Sequence, residues 1–220
     1  MRDNIGILIS ISLLTIMVIV SLINYNKYKK TKLKFLPWIF ILALFTEVYA
    51  YFLAYNKQYN VWLYNEYINI EYLFFIWLFY QYIEKKRFKK FMIVTTILYE
   101  LYFLISIIFF SGDINVMQTY PFAFAQIIII VILFTFMIQM LSSNNILHIQ
   151  QYLIFWVAMG LLFYYIVPLP LNVSENLFRS DRISKEMVAF LHNIQFVGNI
   201  LMYLSIIYGF IWSSKTYTSQ

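Results

Sequence analysis

Residues 35–55 read FLPWIFILALFTEVYAYFLAY, an apolar run with one carboxyl, Glu47, near its middle and no lysine or arginine. About 20 mostly apolar residues suffice to cross a bilayer as a helix. Two further acids, Glu71 and Glu100, sit in the same way inside long apolar stretches. An ionised carboxylate at the bilayer centre costs roughly 2.5–3.5 kcal/mol on the lenient insertion scale. Such side chains must be sheltered, protonated or used, and each of these needs a helix bundle with a polar interior.

Outward from this run, the same pattern recurs. Seven apolar segments are expected to span, at 5–23, 35–55, 61–83, 91–110, 120–141, 149–167 and 187–212. They are far longer than the 9–11 residues of a barrel strand, and they do not alternate. The expected fold is all-α: a single domain over residues 1–220, built as a polytopic bundle of seven transmembrane helices. Lysine clusters, Pro37, Ser111-Gly112-Asp113, Pro168 and Pro170 punctuate the breaks. The first segment is followed directly by lysines and lacks a small-x-small cleavage site, so it reads as a retained anchor.

Composition agrees. The chain is 62% hydrophobic and 12% charged, where a soluble domain averages nearer 45–50% and about 25%. Its formal net charge of +6 falls in two clusters, Lys27 to Lys34 and Lys85 to Lys90. Anionic lipid headgroups, not nucleic acid, are the expected partners of these clusters. Zero cysteines excludes thiol chemistry and Cys-ligated metals.

Lysine and arginine placement sets the direction. Lys27, Lys29, Lys30, Lys32, Lys34, Lys85, Lys86, Arg87, Lys89, Lys90 and Lys215 fall on one side. Arg2, Lys57, Arg179, Arg182 and Lys185 fall on the other. The richer side faces the cytoplasm, which gives N-out, C-in. A longer connector around Arg179, Asp181 and Arg182 is either a plain tether or a lid over an outward-facing cavity.

The polar residues inside the segments form the candidate site. In the third, Asn65, Asn69 and Tyr72 share one helical face, and Tyr67 and Glu71 an adjacent one. Glu66 lies nearer the segment boundary. In the seventh, His192, Gln195, Asn199 and Tyr203 form one stripe that cannot face lipid without leaving hydrogen-bonding groups unsatisfied. A ligand, ion or proton site is therefore expected at Glu47, Glu66, Asn69, Glu71, Glu100, His192, Gln195 and Asn199. The alternative for each is an interhelical hydrogen bond worth about 0.6–2 kcal/mol. Gln126 and Gln139 are weaker candidates. No catalytic residue, metal ligand or cofactor is expected. The seventh segment has no lysine for a Schiff base, and there is no Gly-x-Ser-x-Gly, His-Glu-x-x-His or phosphate-binding glycine loop.

Several stretches carry a resemblance: Phe35-Leu36-Pro37 through Thr46-Glu47, Leu63-Tyr64-Asn65-Glu66-Tyr67, Ile70-Glu71-Tyr72-Leu73-Phe74, Phe155-Trp156-Val157 with Gly160, and His192-Asn193-Ile194. They resemble an uncharacterised family of seven-helix inner-membrane proteins of Bacteroidetes-type bacteria. The resemblance implies a bacterial inner-membrane location and no assigned activity. The expected function is a non-enzymatic sensory or ligand-binding module, working with a signalling or effector partner protein. A proton- or cation-coupled transporter or channel is one alternative, and an accessory membrane effector of bacterial defence is another.

Overall fold

The computed structural model describes residues 2–111, 115–142, 146–170 and 185–214. For 2–4, 110–111, 146–147, 185, 187–188 and 191–192 it describes the backbone alone. The expected lid residues Arg179, Asp181 and Arg182 lie outside this set. The fold is all-α. Its long helices are α1 Arg2–Ile23, α2 Leu36–Tyr55, α3 Val61–Tyr82, α4 Lys86–Ile105, α5 Thr119–Leu141, α6 Leu153–Ile166 and α7 Lys185–Trp212. In hydrocarbon every backbone N–H and C=O must be satisfied within the protein, and a helix does this inside one segment.

Among the described residues, five stretches are long and apolar enough to cross a membrane: Ile5–Ile23, Lys32–Tyr55, Lys86–Phe109, Thr119–Leu141 and Asn193–Trp212. Large apolar side chains such as Phe45, Ile97, Phe109, Phe134 and Ile138 are exposed along these helices, which fits a membrane protein. The other two expected spans differ. The α3 helix is long, at 22 residues, but Asn65, Glu66, Asn69 and Glu71 dilute its apolar character. The α6 helix has 14 residues, so at 1.5 Å per residue it is shorter than a hydrocarbon core about 30 Å thick.

Six helices close a ring in the order α1, α2, α3, α5, α6, α7 and back to α1, while α4 packs outside it against α3 and α5. The α6–α7 seam is the most extensive, and Gly160, Gly198 and Gly209 line it. Small residues let membrane helices approach closely where lipid supplies no hydrophobic drive between them.

One end of the bundle carries the basic clusters. There the turn Tyr25–Tyr28 folds over the end of α7. The Tyr28 hydroxyl donates to the Ser21 carbonyl, and its ring packs on Phe210 at 5.3 Å. Lys27 Nζ donates to the carbonyls of Phe210 and Ile211 at 3.4 and 3.1 Å. A cation at a helix C-terminus is worth typically about 0.3–1 kcal/mol. Gln139 also works at this end: it donates to the Tyr82 carbonyl at 2.9 Å and accepts from Glu84 N at 3.0 Å. That tie fastens α5 to the end of α3.

The opposite end is closed by two devices. After α2, Lys57 N donates to Ala54 O and Gln58 N to Leu53 O, a Schellman pair that needs a left-handed residue. Lys57 takes that conformation, with φ 58°, where glycine would do so without steric cost. Nearby, Asn65 Nδ2 donates to the Val116 carbonyl at 3.0 Å and its Oδ1 accepts from Gln118 N at 3.2 Å. Ser106 donates to Gln118 Oε1 at 2.6 Å. Ser106 opens the π-helical segment Ser106–Ser111 that continues α4. One polar knot thus joins α3, the end of α4 and the approach to α5.

Candidate functional site

The middle of the ring is not filled. A cavity of about 210 Å³ lies there, lined by residues of α1, α2, α3, α6 and α7 together with Met117. Helical spacing explains the α3 contribution: Tyr64, Tyr67, Ile68, Glu71 and Phe75 recur at three- and four-residue steps and so share one face. The α7 contribution repeats the pattern with Gln195, Asn199, Met202, Tyr203 and Ile206.

Two carboxyls face this space. Glu71 is buried and accepts from Tyr67 at 2.9 Å, one turn back on α3, and from Tyr164 of α6 at 3.3 Å. Glu47 accepts from Tyr64 at 3.2 Å. The two acids lie close enough to feel each other's charge, and Tyr203 lies near both. Asn199 brings a buried Oδ1 with no hydrogen-bond partner among the described residues. No lysine, arginine or histidine is among the described lining residues.

The cavity is polarised along the bundle axis. Its carboxyls, tyrosine hydroxyls and amides occupy the half away from the basic end. Towards the basic end the lining is Met17, Phe40, Phe75 and Ile206, all part of a continuous apolar packing that includes Leu36, Phe79 and Phe210. The space equals the liquid volume of about seven waters at roughly 30 Å³ each. It is smaller than the 300–1,000 Å³ typical of drug-sized ligand pockets. Such a site suits a small cation, a small ligand rich in hydrogen-bond donors, or water and protons.

The expected site residues divide between two places. Glu47, Glu71, Gln195 and Asn199 meet in the cavity. Glu66, Asn69 and Glu100 do not line it, because α4 stands outside the ring and the Asn69 face of α3 turns towards α4. Asn69 lies beside the Glu100 carboxyl, with Glu66 close to both Glu100 and Tyr99. The Tyr72 and Tyr99 rings meet edge-on at 4.4 Å across this seam. The three midspan glutamates, expected together, thus lie as a pair in the cavity and one at the α3–α4 seam. The His192 side chain is outside the described residues.

Sequence reasoning passed over Tyr64, Tyr67 and Tyr164 as site residues, although their hydroxyls hold the carboxyls. The chain has 20 tyrosines, so these three carried no distinguishing mark. The available signal was spacing: Tyr67 stands four residues before Glu71 on one helix face. No protein-family model, curated protein or solved structure matches this chain.

Proposed function

We propose that this chain is a seven-span, non-enzymatic membrane module that takes a small cationic or hydrogen-bond-donating ligand into the ring cavity. Its N-terminus and the polar half of the cavity face outside, and the basic end faces the cytoplasm of a bacterial inner membrane. The observation that carries the proposal is an acidic, tyrosine-lined cavity without a cationic residue in its described lining, resting on an apolar floor. Two carboxyls without a basic partner favour a positive guest, and the floor favours binding over conduction. The clusters at Lys27 to Lys34 and Lys85 to Lys90 lie against anionic headgroups, and the second is the contact for a signalling or effector partner.

Purified protein in detergent should gain thermal stability with at least one member of a panel of monovalent cations, small primary amines and small polyols. A ligand at 100 times its Kd adds about 2.7 kcal/mol, a shift of several degrees. The gain should vanish in the Glu47→Gln, Glu71→Gln double variant. A panel without any shift, joined to proton or cation flux in proteoliposomes, would replace binding with transport.

Orientation has its own check. A reporter active only in the cytoplasm, fused after Gln220, should be active, and the same reporter at Lys57 should be silent. The opposite result would invert the topology.

A further inference from the structure

The α3–α4 seam contains more unsatisfied polar chemistry than the cavity. Asn69 Oδ1, Tyr72 OH, Tyr99 OH and Glu100 Oε1 are all buried without a hydrogen-bond partner among the described residues, and so is Tyr165 OH. Tyr72, Tyr99 and Tyr165 are 1%, 0% and 4% exposed, so neither bulk water nor lipid headgroups reach them. Buried polar atoms in native proteins nearly always have a partner, from the protein or from ordered water. A group of such oxygens in one place is the setting in which buried water makes its hydrogen bonds.

These atoms also neighbour the cavity carboxyl. Tyr165 lies near Tyr72 and Tyr99 of the seam and near Glu71 and Tyr164 of the cavity. Its ring packs edge-on against Tyr164 at 4.9 Å, and Tyr164 donates to Glu71. At the far end Glu100 is close to Glu66, which is exposed at the end of the bundle away from the lysine clusters.

We propose that Asn69, Tyr72, Tyr99, Glu100 and Tyr165 form a second, water-holding site that shares protons with the cavity carboxyl Glu71. A proton leaving the Glu100 carboxyl passes to a bound water. Each hydroxyl or water along the file then gives up one proton as it takes another. The last proton settles on the Glu71 carboxylate, so the file itself ends neutral and only the two acids change charge. Glu66 connects Glu100 to the aqueous side. The titratable groups facing this file are Glu66, Tyr67, Glu71 and Tyr72 of α3, Tyr99 and Glu100 of α4, and Tyr164 and Tyr165 of α6. Glu47 and Tyr203 face it across the cavity. The inference does not depend on which ligand the cavity takes.

Two measurements test it. Tyr72→Phe, Tyr99→Phe and Tyr165→Phe each delete one hydroxyl and keep the ring. If water occupies the seam, each variant loses hydrogen bonds and melts at a lower temperature than the parent. If the hydroxyls are dry, deleting them removes an unsatisfied group and the melting temperature rises, which would overturn the proposal. The second measurement is an infrared pH titration of the carboxylic C=O bands, with the Glu71 band assigned by its loss in Glu71→Gln. Proton sharing makes the titrations of the two acids interdependent. Glu100→Gln should therefore move the Glu71 midpoint, and this effect should disappear in a Tyr165→Phe background. An unmoved Glu71 midpoint in Glu100→Gln would also overturn the proposal, whatever the melting data show.

Discussion

Gly209→Ala should destabilise the bundle by about 1–3 kcal/mol, the usual cost of overpacking a close-packed interior. A Cβ built at Gly209 would lie 2.5 Å from Trp156 Cβ and 3.0 Å from Trp156 Cγ. The near atom is the root of the tryptophan side chain, so a rotamer change does not move it away. The indole is also held in place: its N–H donates to the Gln150 carbonyl at 2.9 Å, and its ring packs edge-on against Tyr208 at 4.5 Å. Relief must come from parting α6 from α7, the most extensive seam of the ring, where Ser205 also donates to the Trp156 carbonyl at 3.1 Å. Gly209→Leu should exceed the alanine cost. Gly6→Ala is the control, since its Cβ would meet Phe196 at an ordinary 3.8 Å. Thermal unfolding in detergent should show a fall of several degrees for Gly209→Ala and none for Gly6→Ala. Equal melting temperatures would mean that the α6–α7 approach is looser than described.

Glu71→Leu is expected to be the most damaging change in the cavity, and Glu71→Gln a mild one for stability. Leucine removes the acceptor of both Tyr67 and Tyr164 and leaves two hydroxyls to desolvation. The cost of stranding a buried donor is about 1–3 kcal/mol for each. The interhelical Tyr164 bond belongs at the low end, because pairs of this kind in membrane bundles average about 0.6 kcal/mol. Glutamine keeps one carbonyl oxygen as an acceptor and a similar shape, so the fold should hold while the negative charge is lost. The two variants therefore separate the roles of this residue. Both should lose cation-dependent stabilisation, but only Glu71→Leu should lower the melting temperature of the empty protein substantially. If Glu71→Gln retained the full ligand shift, charge at this position would not be what the cavity uses.

The corresponding pair at Glu47 should be gentler in stability. Glu47 is partly exposed and, among the described residues, accepts from a single hydroxyl, Tyr64. The difference between the two acids follows from their number of donors and depth of burial, not from their residue type.

Much of this was legible in the chain. The apolar runs, their breaks at lysine clusters and prolines, and the placement of polar residues on particular helix faces follow from helical period and from the cost of exposing polar atoms to lipid. The step from Tyr67 to Glu71, and the stripe Gln195, Asn199 and Tyr203, could be read as faces before any partner was known. Two segments were harder to read. In α3 the polar residues that build the site also lower its apolar character, so the same residues that signal function blur its reading as a span. In α6 the regular helix ends at Ile166 after 14 residues, short of the expected 149–167, because the first residues of that run form the 3-10 turn Ile146–Gln151.

By itself the sequence determined that the chain is helical, that its surface is apolar, and that a few carboxyls, amides and phenols must turn inward. Only the tertiary structure decided which inward face meets which. A helix face is a local property, set by 3.6 residues per turn. Its partner depends on packing between residues far apart in the chain, such as Gly209 against Trp156 or Tyr164 against Glu71. For that reason the run at 35–55 announced an inward-turned Glu47 but not its neighbours, and three glutamates with the same local setting came to lie in two places. Closure of six helices into a ring brought Glu47 and Glu71 to one cavity, and the position of α4 outside that ring gave Glu100 a different set of partners.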